Sequence, residues 1–209
     1  MNLHTRRYQL AGPAGIIELL RDEPGEGVIP RGTAVIAHPH PLFGGTMENK
    51  VVQTLARAFV QSGWRALRFN FRGVGASQGV HDEGRGELED MLHIVQTEVP
   101  QGALALGGFS FGAFVAANCV ERLWPQRPAD KIVLVGTATT RFSVPALPAE
   151  AHERALVVHG EQDDTVPLAS VLDWARPQQL PVTVVPGGGH FFHGQLPLLK
   201  SLVARHLRS

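Results

Sequence analysis

The sequence has one cysteine and no surplus of either charge. Cys119 has no partner for a disulfide within the chain, and a zinc site built from several cysteines is excluded. Nineteen basic residues balance nineteen acidic ones among 209 residues. Binding to a nucleic-acid backbone requires a surplus of lysine and arginine, so we expect no nucleic-acid partner.

Long apolar runs are also missing. No stretch approaches the roughly 18 apolar residues of a transmembrane helix, and residues 1–15 lack an apolar segment of signal-peptide length. We therefore expect no membrane partner and a cytoplasmic location. Hydrophobic residues make up 44% of the chain and charged residues 18%. This is a globular composition, and the length predicts one domain over residues 1–209.

Segments with strand and helix patterns alternate along most of the chain. Two short β-like segments at 8–11 and 15–20, with Pro13 and Gly15 between them, predict a hairpin. Further strands are predicted at 33–38, 64–71, 103–109, 131–135, 155–159 and 182–185. Helices are predicted at 49–61, 87–99, 111–123, 168–175 and 198–207. The alternation predicts an α/β fold with a mostly parallel twisted sheet and helices on both faces.

A G-x-S-x-G motif at residues 108–112 lies between a predicted strand and a predicted helix. In that context the motif forms a very tight turn, which requires small residues two positions before and after the serine. The turn lifts the hydroxyl of Ser110 clear of the sheet at the amino end of a helix. Backbone N–H groups at that end can hold a developing oxyanion. Ser110 is therefore the predicted nucleophile.

A serine hydroxyl needs a base, and a histidine is the usual one. Enzymes with such an elbow have the chain order serine, acid, histidine. His190 follows the glycines at 187–189, just after the last predicted strand, and we predict it to be the base. His193 is the competing candidate. His159 precedes the acid in the chain, and His206 lies in the last predicted helix.

The acid is expected at the end of the preceding strand, where it holds the imidazole in the correct tautomer. The segment 159–167 supplies three carboxylates there. Glu161 comes early in this segment. Spacing alone does not decide between Asp163 and Asp164.

Five motifs in this order resemble small α/β-superfamily hydrolases related to dienelactone hydrolases. They are HPHPLFGG at 38–45, FNFRGVG at 69–75, GGFSFG at 107–112, HGEQDD at 159–164 and GGGHFFHG at 187–194. The resemblance implies the α/β-hydrolase fold and a serine hydrolase acting on carboxylic esters. It places the acid three residues after the glycine of the HG motif, which is Asp163. Dienelactone hydrolases themselves use a cysteine nucleophile, so lactone hydrolysis is not implied.

The resemblance also implies an oxyanion hole made of two backbone N–H groups. One belongs to Phe111, directly after the serine. The other lies in the loop at 38–45, where Pro39 and Pro41 carry no N–H group. The remaining candidates are His40 and Leu42, of which we favour His40.

The predicted site is shallow and open, because residues 136–154 are too few for an inserted lid domain. Phe43, Phe191 and Phe192, together with Phe111, are predicted to form an apolar wall beside it. An open apolar groove suits short, soluble esters better than long lipids. We therefore expect a small-molecule ester as the substrate, hydrolysed by a monomer or small homo-oligomer. The alternatives are a peptidase or thioesterase using the same triad, and a non-catalytic binding or scaffold protein.

Three other polar residues lie in loops after predicted strands. His38 and His40 have no acidic or cysteine ligands beside them in the sequence, so we predict no metal site and no cofactor. Arg72 is predicted to brace loops. Binding of a substrate carboxylate is the alternative role for Arg72.

Overall fold

The computed structural model describes residues 5–208, and within them eight strands form one sheet. The strands are β1 (Thr5–Gly12), β2 (Gly15–Asp22), β3 (Thr33–Ala37), β4 (Arg65–Phe69), β5 (Leu104–Phe109), β6 (Lys131–Val135), β7 (Ala155–Gly160) and β8 (Val182–Val185). Their order is β1-β2-β4-β3-β5-β6-β7-β8. Strand β2 is antiparallel to β1 and β4, and the other neighbours are parallel. The predicted hairpin and mostly parallel sheet are confirmed; residues 1–4 and 209 of the predicted domain lie outside the described residues.

Five α-helices occur in the same part of the chain. They are α1 (Lys50–Gln61), α2 (Arg85–Glu98), α3 (Phe111–Leu123), α4 (Leu168–Ala175) and α5 (Leu196–His206). Short 3₁₀-helices lie at Pro41–Phe43, Ala149–Arg154 and Arg176–Gln178. Helix α2 begins two residues earlier than predicted because Glu87 caps it: its carboxylate accepts the N–H of Gly84 at 2.8 Å. Strand β4 ends earlier than predicted, and the N–H of Phe71 donates to the His38 ring instead.

The two faces of the sheet bury different sets of helices. Along β3, Val35 and Ala37 belong to one apolar cluster, whereas Ala34 and Ile36 belong to the other. This alternation follows from the two-residue period of a strand. The first cluster includes apolar residues of α2, α3 and α4, and the second includes those of α1 and α5. Both faces are therefore covered, which explains why the central strands are almost entirely apolar.

A buried polar cluster joins the hairpin to β4, and we call it the hairpin cluster. It comprises Asp22, Arg68, Glu18, Asn70 and Ser77. Arg68 donates two hydrogen bonds to Asp22, at 2.8 and 3.1 Å. The Asn70 amide donates to Glu18 at 2.7 Å, and the Ser77 hydroxyl donates to the Asn70 carbonyl at 2.7 Å. These bonds hold β2, β4 and the following loop together.

The carboxyl ends of the parallel strands share one edge of the sheet. Residues 136–154, between β6 and β7, are all described and contain one short 3₁₀-helix but no lid, as predicted. Ligands of such sheets bind at this edge. None of the helices within residues 5–208 combines the length and the apolar character that crossing a membrane requires.

Candidate active site

Ser110 occupies a strained turn between β5 and α3. Its φ and ψ are 58° and −118°, a conformation that costs a side-chain-bearing residue about 1–3 kcal/mol. The neighbouring glycines permit the turn. A Cβ on Gly108 would overlap the carbonyl of Gly112, and one on Gly112 would overlap the carbonyl of Ala37. The Ser110 N–H donates to the carbonyl of Val135 at 2.8 Å, so β6 holds the turn in place.

His190 connects Ser110 to Asp163. Its Nε2 lies 3.0 Å from the Ser110 Oγ, and its Nδ1 lies 2.7 Å from Asp163 Oδ2. A carboxylate only accepts hydrogen bonds, so Nδ1 carries the proton and Nε2 presents a lone pair to the hydroxyl. Gly136 packs close to the ring: a Cβ there would lie 3.3 Å from Cε1 of His190. The structure thus brings the three residues predicted from separate loops into one hydrogen-bonded chain.

Asp163 is held on its second oxygen by the backbone. Its Oδ1 accepts the N–H groups of Thr165 at 3.0 Å and Val166 at 2.7 Å. Burial acts to raise the pKa of Asp163, but the hydrogen bonds from His190 and Val166 outweigh it and the pKa is lowered. Asp163 is therefore a carboxylate at neutral pH, which the tautomer of His190 requires.

The competing candidates lie elsewhere. Asp164 is exposed, and its carboxylate accepts the Thr165 hydroxyl at 3.3 Å. Glu161 is also exposed and accepts the N–H of Gly187 at 2.8 Å. His193 is exposed and lines a different surface cavity. None of these three residues forms a hydrogen bond with the Ser110–His190–Asp163 chain, so the geometry supports His190 as the base and Asp163 as the acid.

His159 is a neighbour of the site that sequence reasoning did not assign. The buried ring lies with Nε2 2.8 Å from the Val166 carbonyl and 3.4 Å from Asp163 Oδ2. Burial lowers the pKa of His159 and keeps it neutral. Its Nε2–H therefore donates to the Val166 carbonyl and lies near the Asp163 oxygen that also accepts from His190. The signal in the sequence was the histidine of the HG motif itself.

The loop after β3 supplies the candidates for the second oxyanion donor. The N–H of Leu42 donates to Nδ1 of His40 at 3.2 Å, so that group is engaged. The ring of His40 packs against Phe111, with centroids 5.0 Å apart. This contact places the loop beside the start of α3. The N–H of His40 stays the favoured prediction for the second oxyanion donor, beside the predicted first donor, the N–H of Phe111.

His38 ties the same loop to β4. Its Nδ1 lies 2.6 Å from the Pro39 carbonyl, and Nε2 accepts the N–H of Phe71 at 3.0 Å. Burial lowers the pKa of His38 to about 3, so the ring is neutral. Both nitrogens are used by the backbone, and neither is available to a metal.

A cavity of about 390 Å³ opens beside Ser110 and His190. Phe43, Phe111 and Phe191 line it, as predicted. The prediction for Phe192 is wrong: this side chain is completely buried and packs in the core against residues of α1 and α5. Its backbone has a φ of 51°, and its side chain joins the apolar cluster on the α1 and α5 face of the sheet, which removes it from water.

Arg72 ties the loop after β4 to helix α2, where the sequence predicted that it braces loops, and it does not line the cavity. Its guanidinium pairs with Asp90 of α2 through two contacts of 2.9 Å. The side chain is also close to Gly86, where a Cβ would overlap the guanidinium. With its fork turned towards α2, Arg72 does not fit the alternative role of binding a substrate carboxylate.

Comparisons with known proteins agree with this fold. Residues 42–154 match the family described as the alpha/beta hydrolase fold. An α/β serine hydrolase without a lid from Xanthomonas campestris is 32% identical over 100% of this chain and 95% of its own, with a TM-score of 0.86. An α/β serine hydrolase homologue from Coxiella burnetii is 37% identical over 99% and 98%, with a TM-score of 0.81. The chain belongs to the α/β-hydrolase family and is similar to its small, lidless serine hydrolases.

More distant or partial matches add less. Est1E of Butyrivibrio proteoclasticus, with ferulic acid bound, is 15% identical over 96% of this chain and 98% of its own, with a TM-score of 0.80, and shows the fold alone. The chain spans 39% of a Rickettsia prowazekii protein and 32% of a Dictyostelium discoideum protein that it matches. None of these matches singles out dienelactone hydrolases, so that closer relation stays a prediction.

Proposed function

We propose that the chain hydrolyses carboxylic esters with short acyl groups through an acyl-enzyme. The observation that carries this proposal is the hydrogen-bonded chain from Asp163 through His190 to Ser110. It has the geometry of a Ser–His–Asp triad, and the serine faces an open cavity. Similarity to lidless α/β serine hydrolases supports the same reaction class.

In the first half-reaction, Ser110 Oγ attacks the ester carbonyl carbon while His190 Nε2 takes the hydroxyl proton. Asp163 holds Nδ1–H and stabilises the imidazolium. The N–H groups of Phe111 and His40 bind the negative oxygen of the tetrahedral intermediate. The intermediate then expels the alcohol, which leaves with the proton from His190, and the acyl group remains on Ser110.

In the second half-reaction, a water molecule replaces the alcohol. His190 takes a proton from the water as its oxygen attacks the acyl carbonyl. Collapse of the second intermediate releases the carboxylic acid and returns the proton to Ser110. One ester and one water are consumed, and one acid and one alcohol are formed.

The shape of the cavity supports short substrates. It is bordered by loops at the edge of the sheet, and no inserted lid extends over it. A long acyl chain would leave most of its apolar surface in water, which removes the energetic gain from lengthening the chain. We therefore expect hydrolysis of p-nitrophenyl esters to be fastest with short acyl groups and to show no interfacial activation.

A fluorophosphonate probe and a substrate panel test the proposal. The probe should label wild-type protein and the control Ser201→Ala, which alters an exposed serine of α5, but not Ser110→Ala. The panel contains matched esters, thioesters and peptides, because all three share this triad chemistry. Absence of labelling would refute the serine hydrolase. Labelling with turnover of thioesters or peptides but not esters would refute the substrate class.

A further inference from the structure

The cavity beside Ser110 carries charge of one sign. Of the described residues that line it, Arg141 is a cation, and none is an aspartate or glutamate. The other lining groups are apolar side chains, hydroxyls, an amide, imidazoles and glycine backbone. The carboxylate of Asp163 is buried behind the cavity, with His190 between it and Ser110. An anionic part of a substrate would therefore meet a cation without meeting a lining carboxylate.

Arg141 is available to bind such a group. It is exposed, and no carboxylate within residues 5–208 forms an ion pair with it. By contrast, the exposed Arg85 and Arg176 each pair with an aspartate three residues away. An unpaired guanidinium at the wall of an apolar cavity offers a carboxylate two parallel N–H donors.

Aromatic contacts hold Arg141 beside the reacting groups. Its guanidinium lies over the ring of Phe43, 5.2 Å from the centroid. Phe43 in turn lies 4.8 Å from the ring of His40, which lies 5.0 Å from that of Phe111. Stacking on an aromatic face restrains a guanidinium and leaves its edge donors free. This run of contacts joins Arg141 to the two predicted oxyanion donors.

His40 does not duplicate this charge. Burial lowers its pKa, and the interactions with His81 and Arg141 act in the same direction, whereas those with Glu83 and Glu87 oppose them. The imidazole is therefore neutral at neutral pH. Arg141, rather than His40, gives the cavity its positive character.

We propose that the cavity selects esters that also carry a carboxylate, with Arg141 binding the carboxylate while Ser110 attacks the ester carbonyl. Two groups of compounds have this chemistry: monoesters of dicarboxylic acids, and esters of hydroxy acids. The inference rests on the proposed ester hydrolysis and adds the charge of the substrate. It transfers to Arg141 the role that the sequence left as an alternative for Arg72.

The experiment compares kcat/KM for charged and neutral esters of matched shape. In the first pair, monoethyl adipate is compared with the ester in which an acetyl group replaces the free carboxylate. In the second pair, the carboxylate or acetyl group terminates the alcohol part of a butyrate ester. Wild-type protein should prefer the charged member of at least one pair by about fivefold, as expected for a partly exposed ion pair. The responding pair identifies the side of the ester that faces Arg141. The preference should shrink at high ionic strength.

Three variants connect the preference to this side chain. Arg141→Gln should bring the charged-to-neutral ratio close to one, and Arg141→Lys should keep a ratio above one because the charge remains. Arg205→Gln is the matched control. It removes an exposed arginine from α5, whose last turn contacts the start of β6 at the opposite end of the sheet. This control should keep the wild-type ratio, because only the net charge has changed.

Each outcome supports or overturns the inference. Equal rates for both members of both pairs overturn it and leave ester hydrolysis standing. A ratio unchanged by Arg141→Gln, or reduced equally by Arg205→Gln, also overturns it. If no ester, charged or neutral, is hydrolysed and Ser110 is not labelled, the proposed function fails and the inference fails with it.

Discussion

The hairpin cluster and the Ser110–His190–Asp163 chain are both buried polar groups on the same sheet, but their hydrogen bonds end differently. In the hairpin cluster, all three nitrogens of the Arg68 guanidinium donate hydrogen bonds to protein groups: Nε and Nη2 to Asp22, and Nη1 to the Met47 carbonyl at 3.0 Å. In the active-site chain, the hydrogen bonds run from Asp163 outwards and stop at a hydroxyl that faces a cavity.

The backbone differs in the same way. Ser110 has a positive φ, whereas Asp22, Arg68 and Glu18 have none. Strain and an unfinished hydrogen-bond chain lower stability, so natural proteins keep them where function requires them. In a cluster whose buried polar groups all have hydrogen-bond partners, the removal of one partner leaves a buried charge unpaired, and the protein loses stability. We therefore expect substitutions in the active-site chain to affect turnover and substitutions in the hairpin cluster to affect stability.

The largest effect should come from Ser110→Ala. Without the hydroxyl there is no acyl-enzyme, and kcat/KM for a short ester should fall by about 10³-fold or more. The free energy of unfolding should change by less than about 1 kcal/mol, because the substitution removes only a hydroxyl that lines the cavity. Steady-state kinetics and urea unfolding measure the two quantities. Retention of more than about a tenth of the wild-type rate would remove Ser110 as the nucleophile.

Asp163→Asn should have the next largest effect on turnover. The amide stabilises the wrong tautomer of His190, and kcat should fall by roughly 10²–10⁴-fold. Asp164→Asn is the matched control one residue away, and its exposed side chain should matter little. If the Asp164 variant loses more activity than the Asp163 variant, the acid is misassigned.

Asp22→Asn should reverse this pattern. The change leaves Arg68 buried beside a neutral partner and should lower the free energy of unfolding by about 3–5 kcal/mol. The kcat of the folded fraction should stay within about twofold of wild type, because the hairpin cluster does not touch the cavity. Asp173→Asn breaks the exposed pair with Arg176 and should cost about 1 kcal/mol or less. A large loss of kcat in folded Asp22→Asn protein would show that the two clusters are coupled.

The last expected effect is on stability between about pH 6.5 and pH 4. Burial lowers the pKa of His38 to about 3, whereas an unfolded histidine titrates near pH 6.5, roughly. Below about pH 6.5 the unfolded chain binds more protons than the folded protein does. The free energy of unfolding therefore decreases as the pH is lowered, by up to about 1.4 kcal/mol per pH unit for one such group. His159 and His206, whose pKa values burial also lowers, act in the same direction. The lowered pKa of Asp163 stabilises the fold at neutral pH, and this contribution is lost only at still lower pH, where the carboxylate is protonated.

Unfolding free energies of wild type and His38→Asn at several pH values test this sign. The variant should be less stable at neutral pH, because two backbone partners lose the ring. Its stability should also depend less steeply on pH. His193→Asn, which alters an exposed histidine, is the control. Equal slopes in His38→Asn and wild type would contradict the prediction.

Most elements of the fold were predictable because their signals are local. Four elements, α3, β6, α4 and β8, have the predicted bounds, since apolar periodicity and turn residues mark both of their ends. Boundaries set by a distant partner were less accurate. The end of β4 depends on the ring of His38, which belongs to another strand end, and no pattern within residues 64–71 contains that information.

The sequence by itself determined the order of strands and helices, the elbow around Ser110, and the three loops that carry the candidate nucleophile, base and acid. Those features follow from residue types and spacings within a few positions, because these determine the local backbone conformation. Tertiary structure alone decided which side chains face the cavity. It turned Phe191 outwards and Phe192 into the core, engaged Arg72 with α2, and left Arg141 at the cavity wall. The direction of a loop side chain depends on its backbone angles and on partners far away in the chain, and local patterns do not record either of these.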